Sequence, residues 1–272
     1  MSFAGLNFYL LCRFTQHKIA FSHYAFAVGY ALVSYSFIYL SNYMWIDGVM
    51  ILPLMVLGLN LLKESKVCYL YSISLAYSLI SSWYIGFMTC VFSVFYFMYL
   101  FFSDAKSFKE KMPFFLRYVI YSLIGGFLGS ICWLTAFLHF SGTKATQSFP
   151  KFDFGSLSML LTGFLENNYM TTGNITQYFG YASMFTGMVS LVFFLRSFFN
   201  PGIKVRERIS YGVLFFFYCL CILSTTLNAL MHGGREPTWF PARFSYILGF
   251  LVCYFASKEC EHRETSSNIS SL

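Results

Sequence analysis

The residues able to do polar chemistry stand out in three stretches of the 272-residue chain. Ser41-Asn42-Tyr43-Met44-Trp45-Ile46-Asp47-Gly48 sets one carboxylate among aromatic rings at the mouth of an apolar run. Segment 141–177 carries Lys144, Lys151, Asp153, Glu166, Asn167, Asn168 and Tyr169. The third, His232 through Tyr246, crowds His232, Arg235, Glu236, Trp239 and Arg243 between glycines and prolines that tighten the backbone.

Each has a chemistry and a plainer alternative. Arg243 opens an apolar run, where its charge opposes the dipole of the expected helix, so an anion should offset it. A guanidinium fork binds phosphate through two hydrogen bonds; an internal ion pair to Asp47 or Glu166, or a lipid headgroup, would serve as well. Asp47 is too costly to face lipid and must meet water or a partner, unless it only complements a helix N-terminus. Trp45 and Tyr43 suit either sugar stacking or anchoring at a membrane interface. Glu166 is a headgroup-level acid or a solvated loop residue.

The elements that must position these groups are transmembrane helices. The composition is 57% apolar, 22% aromatic and 11% charged, too little polar surface to solvate a soluble particle. Runs of roughly 20 apolar residues recur, and lipid demands that their backbone be satisfied within each segment, so the fold class is an all-α polytopic bundle. Crossings are expected near 20–40, 46–62, 67–81, 84–102, 114–140, 178–198, 209–231 and 242–257, about eight in all. Segment 67–102 has no charged residue and exceeds one span, so it divides at Ser81-Ser82-Trp83-Tyr84. Phe154 to Leu165 is expected as an interfacial helix within the long 141–177 loop. Residues 1–257 form the membrane module, and 258–272 a polar cytosolic tail.

Placing Arg13 and Lys18 in the cytosol and alternating leaves only Lys144, Lys151, Arg235 and Arg243 of the 18 basic residues outside. The net charge of +7 is then a matter of topology and calls for no nucleic acid. The eight cysteines read as small core residues. No nucleotide-binding loop, zinc-protease motif or nucleophile elbow occurs. Helix interiors free of Asp, Glu, Lys and Arg speak against ion-coupled transport. Residues 1–10 form an apolar run too short to span, so a first helix cut short at Met1, and hence a fragment, is expected.

Three motifs then carry a resemblance: Met44-Trp45-Ile46-Asp47-Gly48-Val49 running into Ile51-Leu52-Pro53-Leu54, Trp83-Tyr84-Ile85-Gly86-Phe87-Met88, and Trp239-Phe240-Pro241-Ala242-Arg243-Phe244-Ser245. In their order and spacing the chain resembles the YfhO family of bacterial membrane proteins over essentially its whole length, departing at Ala242, where the family generally has Tyr. The resemblance implies a membrane module like that of C-type glycosyltransferases. Such enzymes take sugar from a polyprenyl-phosphate carrier and pass it to a wall polymer such as lipoteichoic acid outside Gram-positive cells. It further implies that the main catalytic aspartate precedes Met1 and that the family's C-terminal extension is missing, so an inactive truncated remnant of the enzyme is an alternative reading. By the same resemblance Asp47 orients a divalent cation or the acceptor hydroxyl, and Arg243, Arg235 and His232 hold the donor phosphate. Trp45, Trp83, Tyr84 and Trp239 contact sugar or polyprenyl, and Glu166 is a further acid. A lipid or polymer transporter is the competing class.

Overall fold

The computed structural model describes residues 1–16, 21–64, 68–142, 153–154, 157–165, 182–234, 237, 240 and 242–270. The described residues are helical, with α1 Ser2–Thr15, α2 Phe21–Ala31, α3 Ser34–Ile38, α4 Tyr43–Lys63, α5 Tyr69–Ser81, α6 Trp83–Ser103, α7 Phe108–Leu128 and α8 Ser130–Gly142. They continue with α9 Leu157–Thr162, α10 Met188–Ser197, α11 Val205–Leu223, α12 Thr225–Met231, a 3-10 turn Arg243–Ser245 and α13 Tyr246–Ser270. Among them the one β pairing is an isolated bridge from Phe154 to Ser224.

The all-α bundle expected from composition is what forms. By length and composition α4 and α6 can cross a bilayer, and α7 with α8 makes a third span if that pair, bent by 72°, counts as one. The charge-free stretch divides where expected. Ser82 is extended (φ −155°, ψ 109°) and its hydroxyl accepts the Ile85 N–H at 3.5 Å, which starts α6 with one of its otherwise orphaned donors satisfied. Several other expected crossings are interrupted rather than continuous. The 20–40 run breaks between α2 and α3, 114–140 bends at Gly129, 209–231 divides at Ser224, and within 178–198 the described residues 182–187 are non-helical ahead of the helix at Met188.

These breaks are stabilised by contacts distant in sequence. Residues 182–187 run without helix through the interior, with Ala182, Ser183, Met184 and Thr186 buried. Their backbone is satisfied by neighbours: Ser34 N–H donates to the Phe185 carbonyl at 2.9 Å, Phe185 N–H donates to Ser34 Oγ at 3.1 Å, and Met184 N–H donates to the Gly163 carbonyl at 2.9 Å. Non-helical backbone is tolerated at membrane depth only when protein supplies its partners in this way.

Inside α4, Pro53 has no N–H to give the carbonyl of Val49, one helical turn back. Tyr30 Oη donates to that carbonyl at 2.7 Å, and Asn7 Nδ2 donates to the adjacent Met50 carbonyl at 2.8 Å. Each such bond contributes about 1 kcal/mol net, and each would cost more if left unmade in a buried helix. The same contacts clamp α1 and α2 onto α4. Close approach elsewhere depends on missing side chains. A Cβ on Gly86 would lie 2.5 Å from the Ser78 carbonyl oxygen, and Gly125 and Gly129 of α7 abut Ser72, Leu75 and Leu79 of α5. Cys219 and Cys221 are buried, consistent with core packing.

Candidate functional site

Helix α4 begins after Asn42, so Trp45 sits in its first turn and is nearly buried, at 9% exposure. Helix α6 begins at Trp83, which places Tyr84 beside it in space. The chain returns from α12 through Gly233 and Gly234, whose positive φ angles of 73° and 84° suit glycine, and reaches Phe240 with φ 53°. For a phenylalanine that left-handed conformation is strained, and it is held here by packing: Phe240 meets Trp45 edge-to-face at 5.3 Å and Tyr39 at 5.7 Å. The 3-10 turn that follows presents Arg243.

The guanidinium carbon of Arg243 lies 4.7 Å from the centroid of Tyr84, 5.1 Å from Trp45 and 5.9 Å from Phe240. Three elements far apart in sequence therefore build an aromatic seat for one cation. Each such ring attracts the charge by about 0.5–2 kcal/mol. Tyr39 backs Trp45 at 5.1 Å, and Tyr35 packs at a tilt against Tyr39 at 4.5 Å. Below the seat, Tyr246 Oη and Thr89 Oγ1 share a hydrogen bond of 2.8 Å, which ties the start of α13 to α6.

His232 closes the cluster, with its ring 5.5 Å from Tyr84 and 6.0 Å from Phe244. Its Nδ1 is 2.7 Å from the Asn228 carbonyl oxygen. Burial, reinforced by the Arg243 charge, pushes the imidazole down to about 4, although the bond to Asn228 works the other way. This environment favours the neutral imidazole over the imidazolium.

Asp47 lies apart from the seat. Its carboxylate accepts a hydrogen bond from Ser81 Oγ at the end of α5, and it is half-buried at the same end of α4 as Trp45. Trp83 also points elsewhere, packing near Phe87 at 5.9 Å. Glu166, Arg235 and Trp239 lie outside the described residues. Among the described residues no group of three or more His, Cys, Asp and Glu side chains could hold a metal ion. Sequence reasoning thus named Trp45, Tyr84, His232 and Arg243 and missed Tyr39, Phe240 and Ser81. Phe240 stood within a motif already quoted, but Tyr39 sits in an apolar run that carries no signal of its own.

Comparison with curated proteins and with solved structures gives no match. A family model does match. Residues 1–272 fit the one described as bacterial membrane protein YfhO, the family whose motifs supply Trp45, Tyr84 and Arg243, and the chain belongs to that family.

Proposed function

We propose that the chain is the membrane module of a glycosyltransferase that moves a sugar from a polyprenyl-phosphate carrier to a wall polymer such as lipoteichoic acid, on the outer face of the cell membrane. The observation that supports this is Arg243 seated on Trp45 and Tyr84 at 4.7–5.1 Å. Stacking engages the faces of a guanidinium, whereas hydrogen bonds to a phosphate are made in its plane, so rings that fix the plane pre-orient the fork. The N-terminus of α13 beside it favours the same anion.

In the transfer, the bond from the anomeric carbon to the phosphate oxygen breaks as the acceptor oxygen bonds to that carbon. Arg243 meets the charge that develops on the departing phosphate. Asp47, oriented by Ser81, positions the acceptor hydroxyl or a cation from the same end of the bundle. Arg235, Glu166 and Trp239, outside the described residues, belong to the proposed set, and Trp83 guides the polyprenyl chain.

The test uses protein in lipid nanodiscs and citronellyl phosphate, a short polyprenyl phosphate. Arg243→Ala is expected to weaken its binding on the order of 100-fold, about 2.7 kcal/mol. Equal affinity in both proteins would remove the phosphate reading. A second reading, a lipid or polymer transporter, draws on the break between α2 and α3 and on the non-helical 182–187 segment, since transporters place sites at broken helices. Movement of a labelled lipid across proteoliposomes would favour it.

A further inference from the structure

A phosphate on Arg243 leaves His232 unexplained. The side chain is 5% exposed, and its Nδ1 faces the Asn228 carbonyl, a group that only accepts, so Nδ1 carries the ring proton. Nε2 is therefore a lone pair, buried and without a hydrogen-bond partner among the described residues. It belongs to a ring packed at a tilt against Tyr84, whose own ring lies 4.7 Å from the Arg243 guanidinium.

A buried lone pair beside a fixed cation is selective. A cationic ligand is repelled by Arg243, an anionic oxygen is repelled by the lone pair, and a neutral O–H satisfies it. The burial that holds the imidazole neutral keeps this preference at physiological pH. A second orphan lies on the other side of the aromatic seat. Tyr35 Oη is fully buried with no partner among the described residues, and its ring packs on Tyr39, which in turn backs Trp45. The cluster thus combines one seated cation with two unsatisfied neutral polar atoms, which is the complement of an anion that carries hydroxyl groups close by.

We propose that His232 Nε2 accepts a hydrogen bond from a sugar hydroxyl next to the phosphate on Arg243, so that the site selects glycosylated carrier over bare carrier phosphate. The inference rests on the phosphate reading of Arg243. It makes His232 a specificity residue that reads a hydroxyl rather than a third cation for the phosphate. A site built to pair with a hydroxyl discriminates strongly against a ligand lacking it, because the protein atom is then left unpaired.

The experiment compares citronellyl phosphoglucose with citronellyl phosphate, each titrated into nanodisc-embedded protein. The wild type is expected to bind the glucosylated ligand at least about tenfold more tightly. His232→Phe keeps a ring against Tyr84 and Phe244 but removes the acceptor; it should abolish the preference while leaving affinity for citronellyl phosphate within about twofold. His232→Gln, whose amide oxygen can accept, should restore part of the preference, and it carries the test if the Phe variant does not fold. A wild type that binds both ligands equally, or a Phe variant that keeps the preference, overturns this inference and leaves the phosphate reading standing. Binding of neither ligand by the wild type removes the phosphate reading and this inference with it.

Discussion

The two ends of the bundle surround their cations differently. Tyr84 and Tyr99 lie on the same helix, separated by roughly 22 Å of rise, and mark the two ends. At the Tyr99 end charges are matched within the protein. Lys258 Nζ lies 2.6 Å from Glu207 Oε1, Tyr99 Oη donates to the same oxygen at 3.1 Å, and Arg196 pairs with Glu259 at 3.3 Å. Both ion pairs between described residues are there. Just outside the expected spans, the Lys258 ammonium holds the Glu207 carboxyl down at about 2, against the opposing effect of burial. At the Tyr84 end the Arg243 guanidinium lies against aromatic rings, and a histidine nitrogen and a tyrosine hydroxyl nearby have no hydrogen-bond partner among the described residues. A network closed by its own countercharges is finished without a ligand. The proposed ligand site turns instead on the Tyr84 end, where His232 Nε2 and Tyr35 Oη are buried without a hydrogen-bond partner among the described residues.

The comparison breaks first, and with the largest effect, if the matched end is not essential to stability. Lys258→Ala leaves the part-buried Glu207 without its partner and is expected to cost about 3 kcal/mol of stability, the low end for a broken buried pair. The double variant Lys258→Met with Glu207→Leu should recover most of that loss. Thermal unfolding in detergent measures both, and citronellyl phosphate binding should be unchanged in the double variant. A harmless single variant would mean that the pair is incidental.

A smaller effect sharpens the other end. Replacing Tyr84 with Leu removes the nearest ring under Arg243 but keeps an apolar side chain, so binding of citronellyl phosphate should weaken roughly tenfold, with the charge itself intact. No change would show that the rings pack the loop without orienting the guanidinium.

The smallest effect separates the ends by pH. His232 has its folded value lowered from 6.5 to about 4, so the unfolded chain takes up a proton first as pH falls, and stability declines across that window. Glu207 is lowered from 4.5 to about 2, so the stability it contributes is complete above pH 4.5 and is lost as pH falls toward 2. Melting temperature should therefore drop by a few degrees between pH 6.5 and 4 in the wild type, and this first drop should vanish in His232→Phe. If both proteins decline alike in that window, His232 is not buried in its neutral form.

Much of this could be read from residues in line. The lack of charge and the apolar runs require a helical membrane protein because lipid offers no partner to an open backbone. The interfacial character of Ser81-Ser82-Trp83-Tyr84 located the division between α5 and α6, since Ser82 is a good cap. Trp45, Tyr84, His232 and Arg243 could be singled out because polar and amphipathic residues are conspicuous against such a background. Lys258 and Glu259, by contrast, look like the start of a polar tail and are packed against Glu207 and Arg196.

By itself, then, the sequence determined the class of fold, the principal helices and the short roster of residues able to do chemistry, because those follow from local composition and period. Tertiary structure alone decided that Arg243 sits on Trp45 and Tyr84 while Asp47 is held by Ser81, and that 182–187 crosses the interior without helix. The physical reason is the same in each case. An apolar residue is compatible with lipid, with a helix partner or with a buried extended strand of chain, and a polar one with many partners. Which of these it meets depends on side chains brought from distant positions, as Ser34 is brought to Phe185 and Tyr30 to the carbonyl freed by Pro53.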